Sequence, residues 1–197
     1  LSARNNEKIH MHYKPKIEII FEKKFMRRVF LLLGSNMGKR DEVLFHALRK
    51  IDRQVGKVVL QSAIYETAAW GFEEQNSFYN CVLCIHTEKS PEEVLNQVLS
   101  IEQQIGRVRN ETKWKERLID IDILFYEDTV VEQENLLIPH PYLHHRKFTL
   151  IPLQEIAPEL QHPVLKKSVE QLLIECEDTL EVKKVYEASQ FFHSLQS

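Results

Sequence analysis

The chain has 197 residues, 43% hydrophobic and 28% charged, which suits one globular domain with some additional chain and one proper core. A net charge of −3 and a pI near 6.3 argue against the broad basic field that drives bulk nucleic-acid or membrane binding, so an anionic ligand must be met by a local basic cluster. Three cysteines, Cys81, Cys84 and Cys176, argue against a disulfide scaffold and fit a reducing cytoplasm, and no apolar run reaches the ~18–20 residues of a spanning helix.

The chain opens on Leu1, and Met26 stands just before RVFLLLG (28–34). Residues 1–27 are therefore expected to be an N-terminal extension. RVFLLLG is a short apolar run closed by glycine and reads as a buried strand. From Lys39 to Asp52, Val43, Leu44, Ala47, Leu48 and Ile51 recur at helical spacing. KVVLQSAIYET (57–67) reads as one strand, with Val58, Leu60, Ser62 and Ile64 on a shared face. AAWGFEEQNS (68–77) breaks periodicity and reads as a loop, and SFYNCVLCIHT (77–87) is a third strand.

The next helix carries its own start and stop. Ser90 is the N-cap, Pro91 takes the first helical position, Glu93 completes a capping box, and Gly106 supplies the stop. RVRNETKWKER (107–117) is a polar loop. RLIDIDILFY (117–126) reads as a fourth strand, paired with TVVEQ (129–133) across Glu127-Asp128. A Pro/His-rich turn, a short helix through LIPLQEIAPEL and a helical tail over 161–197 complete the chain. The order β-α-β-β-α-β predicts an α+β fold, a ferredoxin-like sandwich with helices packed on one face of an antiparallel sheet.

The chemistry concentrates in that fourth strand. Residues two apart in a strand point the same way, so Asp120 and Asp122 share one face while Ile119, Ile121 and Ile123 take the other. Two carboxylates this close repel unless cations neutralise them. Mg²⁺ favours one or two carboxylates together with substrate phosphates. Just upstream, Arg107, Arg109, Lys113, Lys115 and Arg117 stand against Glu111 and Glu116, five positive and two negative, a local net of +3. Arginine binds phosphate oxygens bidentately. A basic loop beside a carboxylate pair is the equipment of phosphoryl transfer.

LLLGSNMG, YETAAWG, FYNCV, IEQQIGRVR, W-x-x-R-x-x-D-I-D-I-L-F, IPHP and R-x-F-x-L-x-P-L-x-E-I-A-P follow one another between about residues 29 and 160. In these motifs the sequence closely resembles the 6-hydroxymethyl-7,8-dihydropterin pyrophosphokinase family of folate biosynthesis. The resemblance implies a catalytic domain over 28–160, a monomeric enzyme, and transfer of the β,γ-diphosphate of ATP to the pterin hydroxymethyl group with two Mg²⁺ ions, leaving AMP. It implies that Asp120 and Asp122 hold the metals and that Arg107 and Arg117 neutralise the transferring group. Glu102, Arg109, Ile123, His140 and Arg146 would serve the nucleotide. Thr67, Ala68, Trp70, Phe78, Asn80, Trp114 and Phe148 would form the pterin pocket. Lys115-Glu116 departs from the Gly-Pro common in the family, and Ala68-Ala69 stands where prolines are frequent.

Other signals are weaker. GSNMGKR (34–40) is one residue short of a P-loop and has Arg40 where Ser or Thr is needed. Cys81 and Cys84 stand three apart in a strand and face opposite sides, which favours buried cysteines over a zinc knuckle. A different D-x-D enzyme, such as a metal-dependent nucleotide-sugar transferase, lacks a nucleotide-binding α/β half here. A ferredoxin-like RNA-binding module needs a basic surface and aromatics side by side on one sheet face, whereas Phe78 and Tyr79 are adjacent and face opposite ways.

Overall fold

The computed structural model describes residues 26–68, 76–106 and 118–189. Strand β1 (Arg27–Ser35) leads into helix α1 (Arg40–Gln54), then β2 (Lys57–Gln61), β3 (Ile64–Thr67) and β4 (Phe78–Thr87). Helix α2 (Pro91–Ile105) follows, then β5 (Asp120–Tyr126), the short pair β6 (Val131–Gln133) and β7 (Leu136–Ile138), α3 (Lys147–Ile156), α4 (Val169–Glu175) and β8 (Val182–Tyr186). The main sheet runs β5-β1-β4-β3-β8, with β2 also paired to β4, and every pairing is antiparallel. This is the ferredoxin-like α+β arrangement that the element order predicts.

The sheet is covered on both faces, where one helical layer was expected. Val29, Leu31 and Leu33 of β1 join Cys81, Leu83 and Ile85 of β4 and Ile121 and Ile123 of β5 in a core under α1 and α2. Phe30 and Leu32, with Val82, Cys84 and Leu124, build a second core with Leu143, Leu150, Leu153, Val169 and Leu172. The reason lies in β1 itself: RVFLLLG is apolar at successive positions, so both of its faces demand cover.

Three further expectations are corrected. Residues 57–67 form two strands, because Ser62 and Ala63 spend polar groups on partners outside a regular ladder. Ser62 N–H donates to Val82 O, its Oγ accepts from Val82 N, and Ala63 N–H donates to Glu155 Oε2 at 2.8 Å. A register shift between Val58 and Leu60 also breaks the expected shared face: Val58 is buried and Leu60 exposed. Residues 131–133 pair with β7 rather than with β5. After β7 the chain returns along β5, where His140 N–H donates to Leu124 O at 3.0 Å. Finally, the segment after 160 is not wholly helical. It holds α4 and then β8, which adds to the sheet beside β3.

The α2 start matches its sequence signature in full, with Ser90 Oγ accepting from Glu93 N and Glu93 Oε2 from Ser90 N. Gly106 ends the helix in the left-handed conformation. That ending decides where the chain leaves α2 for the residues preceding β5.

Candidate active site

The face under α3 and α4 opens at the ends of β5, β1, β4 and β3. Register places Asp120 opposite Gly34, Gly34 opposite Asn80, and Thr67 opposite Phe78. Asp120 and Asp122 share the face of Leu124, Gly34 that of Leu32, and Phe78 and Asn80 that of Val82, all pointing toward the second core. The expected split of β5 therefore holds: both aspartates are half-buried on this side, while Ile119, Ile121 and Ile123 lie in the first core. Ile123, expected to serve the nucleotide, is a core side chain, so only its backbone remains for that task.

Gly34 forms the floor between the two groups. A Cβ there would lie 3.0 Å from Asn80 Oδ1 and 3.8 Å from Phe78 Cδ1. The Asn80 carboxamide and the Phe78 ring therefore both hang over a bare stretch of backbone. Asp120 and Asn80 stand two strand spacings apart, about 10 Å, with Gly34 between them. The sequence reading takes this glycine only as the close of an apolar run. A glycine inside an otherwise bulky apolar strand is itself a signal of close approach.

Asn80 is buried, and its Nδ2 donates to Thr67 Oγ1 at 2.9 Å. In this arrangement the nitrogen is spent on Thr67 and the carbonyl oxygen faces Gly34. Ala68 follows, exposed, at the end of the described stretch. Phe148, on the first turn of α3, packs half-buried against the second core. The Arg146 guanidinium sits 5.7 Å from the Phe148 ring centroid and 5.4 Å from that of Tyr142. Asp178 fixes this corner from the C-terminal segment, its Oδ2 accepting from Lys147 N at 2.9 Å.

His140 follows the cis Ile138-Pro139 bond. Burial and then the Arg146 charge push its pKa down to about 4, while Asp120 pulls the other way. The ring is neutral at pH 7. Its Nδ1 accepts from Tyr142 N at 3.3 Å, which assigns the proton to Nε2 and leaves an N–H donor there. Glu102, expected on the nucleotide side, is 1% exposed, and its Oε1 accepts from Ile121 N at 2.8 Å. It braces the edge strand that carries both aspartates.

Trp70, Arg107, Arg109, Trp114 and Arg117 lie outside the described residues, as do Lys115 and Glu116. The structure brings together Thr67, Phe78, Asn80, Asp120 and Asp122 on one sheet face, with His140, Arg146 and Phe148 on the elements bordering it.

Three comparisons bear on this arrangement. Residues 30–158 match the family model described as 7,8-dihydro-6-hydroxymethylpterin-pyrophosphokinase (HPPK). The chain is 40% identical over 148 residues to a 2-amino-4-hydroxy-6-hydroxymethyldihydropteridine pyrophosphokinase of Aquifex aeolicus, covering 74% of this chain and 90% of that one. Its counterpart of the same name in Methylorubrum extorquens is 44% identical over 136 residues, covering 68% and 85%. Among solved structures, wild-type HPPK-DHPS of Plasmodium falciparum superposes with a TM-score of 0.63 at 19% identity. That match covers 77% of this chain and 45% of the other, and it supports the fold.

Proposed function

We propose how this site works from the premise that the chain belongs to the 7,8-dihydro-6-hydroxymethylpterin-pyrophosphokinase family. It is a pyrophosphokinase: it moves the diphosphate of ATP onto the hydroxymethyl group of 6-hydroxymethyl-7,8-dihydropterin, a step of folate biosynthesis. The hydroxymethyl oxygen bonds to the β-phosphorus and releases its proton to solvent, the bond from that phosphorus to the α-phosphate bridging oxygen breaks, and AMP leaves.

The observation that carries the site assignment is the bare Gly34 backbone, with an amide and an aromatic ring on one side and two carboxylates on the other. A flat, hydrogen-bonding heterocycle lies over Gly34. Asn80 Oδ1 accepts from the amino edge of the pterin, and the Thr67 hydroxyl holds the amide in that orientation. Phe78 and Phe148 supply aromatic faces for the ring. The hydroxymethyl group then points across β1 toward Asp120 and Asp122.

Those two carboxylates suit hard divalent cations: they are oxygen donors, two residues apart, on the solvent-reaching part of an otherwise buried face. When bound there, two Mg²⁺ ions would neutralise triphosphate oxygens and polarise the attacking hydroxyl. Glu102 keeps strand β5 in place beneath the pair. Neutral His140 offers its Nε2–H, and Arg146 its fixed charge, to the phosphates. Arg107 and Arg117, placed by motif order, neutralise the group in transfer, and Arg109 and Trp114 serve nucleotide and pterin respectively. Alignment and charge neutralisation carry the rate, and no strong general base is required.

The test is nucleotide analysis after incubation with ATP, Mg²⁺ and the pterin. Pterin-dependent AMP that disappears with chelator and returns with Mg²⁺ is expected. AMP formation unaffected by chelator overturns the metal assignment. ADP in place of AMP overturns the transfer chemistry.

A further inference from the structure

The residues alternating with the pocket are gathered by one arginine. Arg40, the first residue of α1, donates from Nη1 to Glu66 Oε1 (3.0 Å), to Ser77 O (2.7 Å) and to Ser77 Oγ (2.7 Å). Ser77 Oγ in turn donates to Glu66 Oε1 at 2.6 Å. The Arg40 guanidinium lies 3.6 Å from the centroid of the Tyr79 ring, whose edge meets Tyr186 of β8. Glu66, Ser77 and Tyr79 each immediately precede a pocket residue: Thr67, Phe78 and Asn80. Successive strand residues face opposite sides, so Glu66 and Tyr79 lie behind the sheet, directly under the pocket.

We propose that Arg40 is a positioning residue for the pterin substrate, acting through Glu66, Ser77 and Tyr79 to hold Thr67, Phe78 and Asn80 in place. The inference rests on the reading of those three as the pterin pocket. Thr67 and Phe78 form the last rung of the β3–β4 ladder. At that end of the ladder Arg40 grips both stems, Glu66 on one and Ser77 on the other. The pair is partly buried, with side chains 22% and 31% exposed. It is also a network of three acceptors and a ring, unlike a solvated ion pair of little consequence. Asn80 feels the clamp twice: through its neighbour Tyr79, and through Thr67, which holds its amide. His140 and Arg146, on the nucleotide side, stand on other elements, so the effect is selective for the pterin.

The experiment is steady-state kinetics of the full chain with ATP and 6-hydroxymethyl-7,8-dihydropterin for Arg40→Met, Arg40→Lys, Asn80→Ala and the Arg40→Met/Asn80→Ala double variant. Arg40→Met is expected to raise the pterin KM about tenfold while the ATP KM moves less than about twofold. Arg40→Lys, with one charge but no planar fork, should fall between wild type and Arg40→Met. The double variant should be weakened by less than the product of the two single effects, because both act on one pocket. An unchanged pterin KM, an equal rise in both KM values, or full multiplicativity overturns the proposal. If Arg40→Met does not fold, Ser77→Ala replaces it: a pterin-selective rise supports the clamp, and an unchanged pterin KM overturns it. Asn80→Ala separates the two levels of the argument. If it leaves pterin binding intact, the pocket reading itself fails; if it weakens binding while Arg40→Met does not, only the clamp fails.

Discussion

Replacing Gly34 by alanine tests the floor of the pocket with a single methyl group. The new Cβ would stand 3.0 Å from Asn80 Oδ1, closer than ordinary carbon–oxygen contact, so the amide must retreat by a few tenths of an ångström. Its Nδ2 is tied to Thr67 Oγ1 at 2.9 Å, and a retreat of that size takes the bond to the edge of the ~2.7–3.2 Å range of a good N–H···O contact. Overpacking of this kind costs about 1–3 kcal/mol, and alanine's better strand propensity returns roughly 0.5–1 kcal/mol of it. A net loss of about 1 kcal/mol lowers the Tm of a chain this size by about 2–4 °C. The functional loss should be far larger, since a pterin lying on Gly34 is lifted from both the amide and the carboxylates. Displacement by about 1 Å can cost on the order of 100-fold in rate. Calorimetric titration with pterin, and separately with a non-hydrolysable ATP analogue, alongside a thermal melt, is the assay. Wild-type pterin affinity in a variant with the expected small Tm loss would refute the placement of the ring over Gly34.

Further outcomes follow from the same geometry. Asp120→Ala and Asp122→Ala should each cut AMP formation by about 10²–10³-fold, the size of effect expected when a group stabilising transition-state charge is removed. Circular dichroism should remain native, and substantial turnover in either variant would sink the metal-binding role. Glu102→Ala strands the buried Ile121 N–H, which should cost about 1–3 kcal/mol in urea unfolding; an unchanged midpoint would contradict the edge-bracing role. His140 has its folded-state pKa lowered to about 4 from 6.5. Below pH 6.5 the unfolded chain takes up a proton that the folded chain refuses, so stability falls as pH drops from about 6.5 to 4, by on the order of 3 kcal/mol in metal-free buffer. His140→Gln should flatten that part of the profile, and a slope identical to wild type would disprove it. Asp178→Ala uncaps the first turn of α3 and should cost about 0.5–2 kcal/mol, read from the shift in urea midpoint.

Much of this was legible in the chain itself, because the relevant signals are local. The capping box at Ser90 and Glu93 and the stop at Gly106 depend on residues a few positions apart, and the structure reproduces them. The period-2 pattern of IDIDI places both aspartates on one face and the isoleucines on the other whatever surrounds them. The ordered motifs between 29 and 160 point to the pyrophosphokinase family without any coordinates. What the sequence left open depends on contacts between distant positions. That β1 is buried on both faces shows in its composition, but the identity of its second cover emerges only when α3 and α4 dock. The division of 57–67 at Ser62 and Ala63 requires Glu155, some 90 positions away, to take an N–H that a continuous strand would have paired. The fate of 182–186 was decided by the edge of β3: Val182, Val185 and Tyr186 favour a strand, but five residues form one only where a neighbouring strand is there to pair with. Gly34 and Arg40 matter for the same reason. Gly34 stands out locally as a glycine in an apolar strand, but what it approaches, Asn80, is set by strand register, and Arg40 meets both stems of the β3–β4 connection only once α1 packs on the sheet.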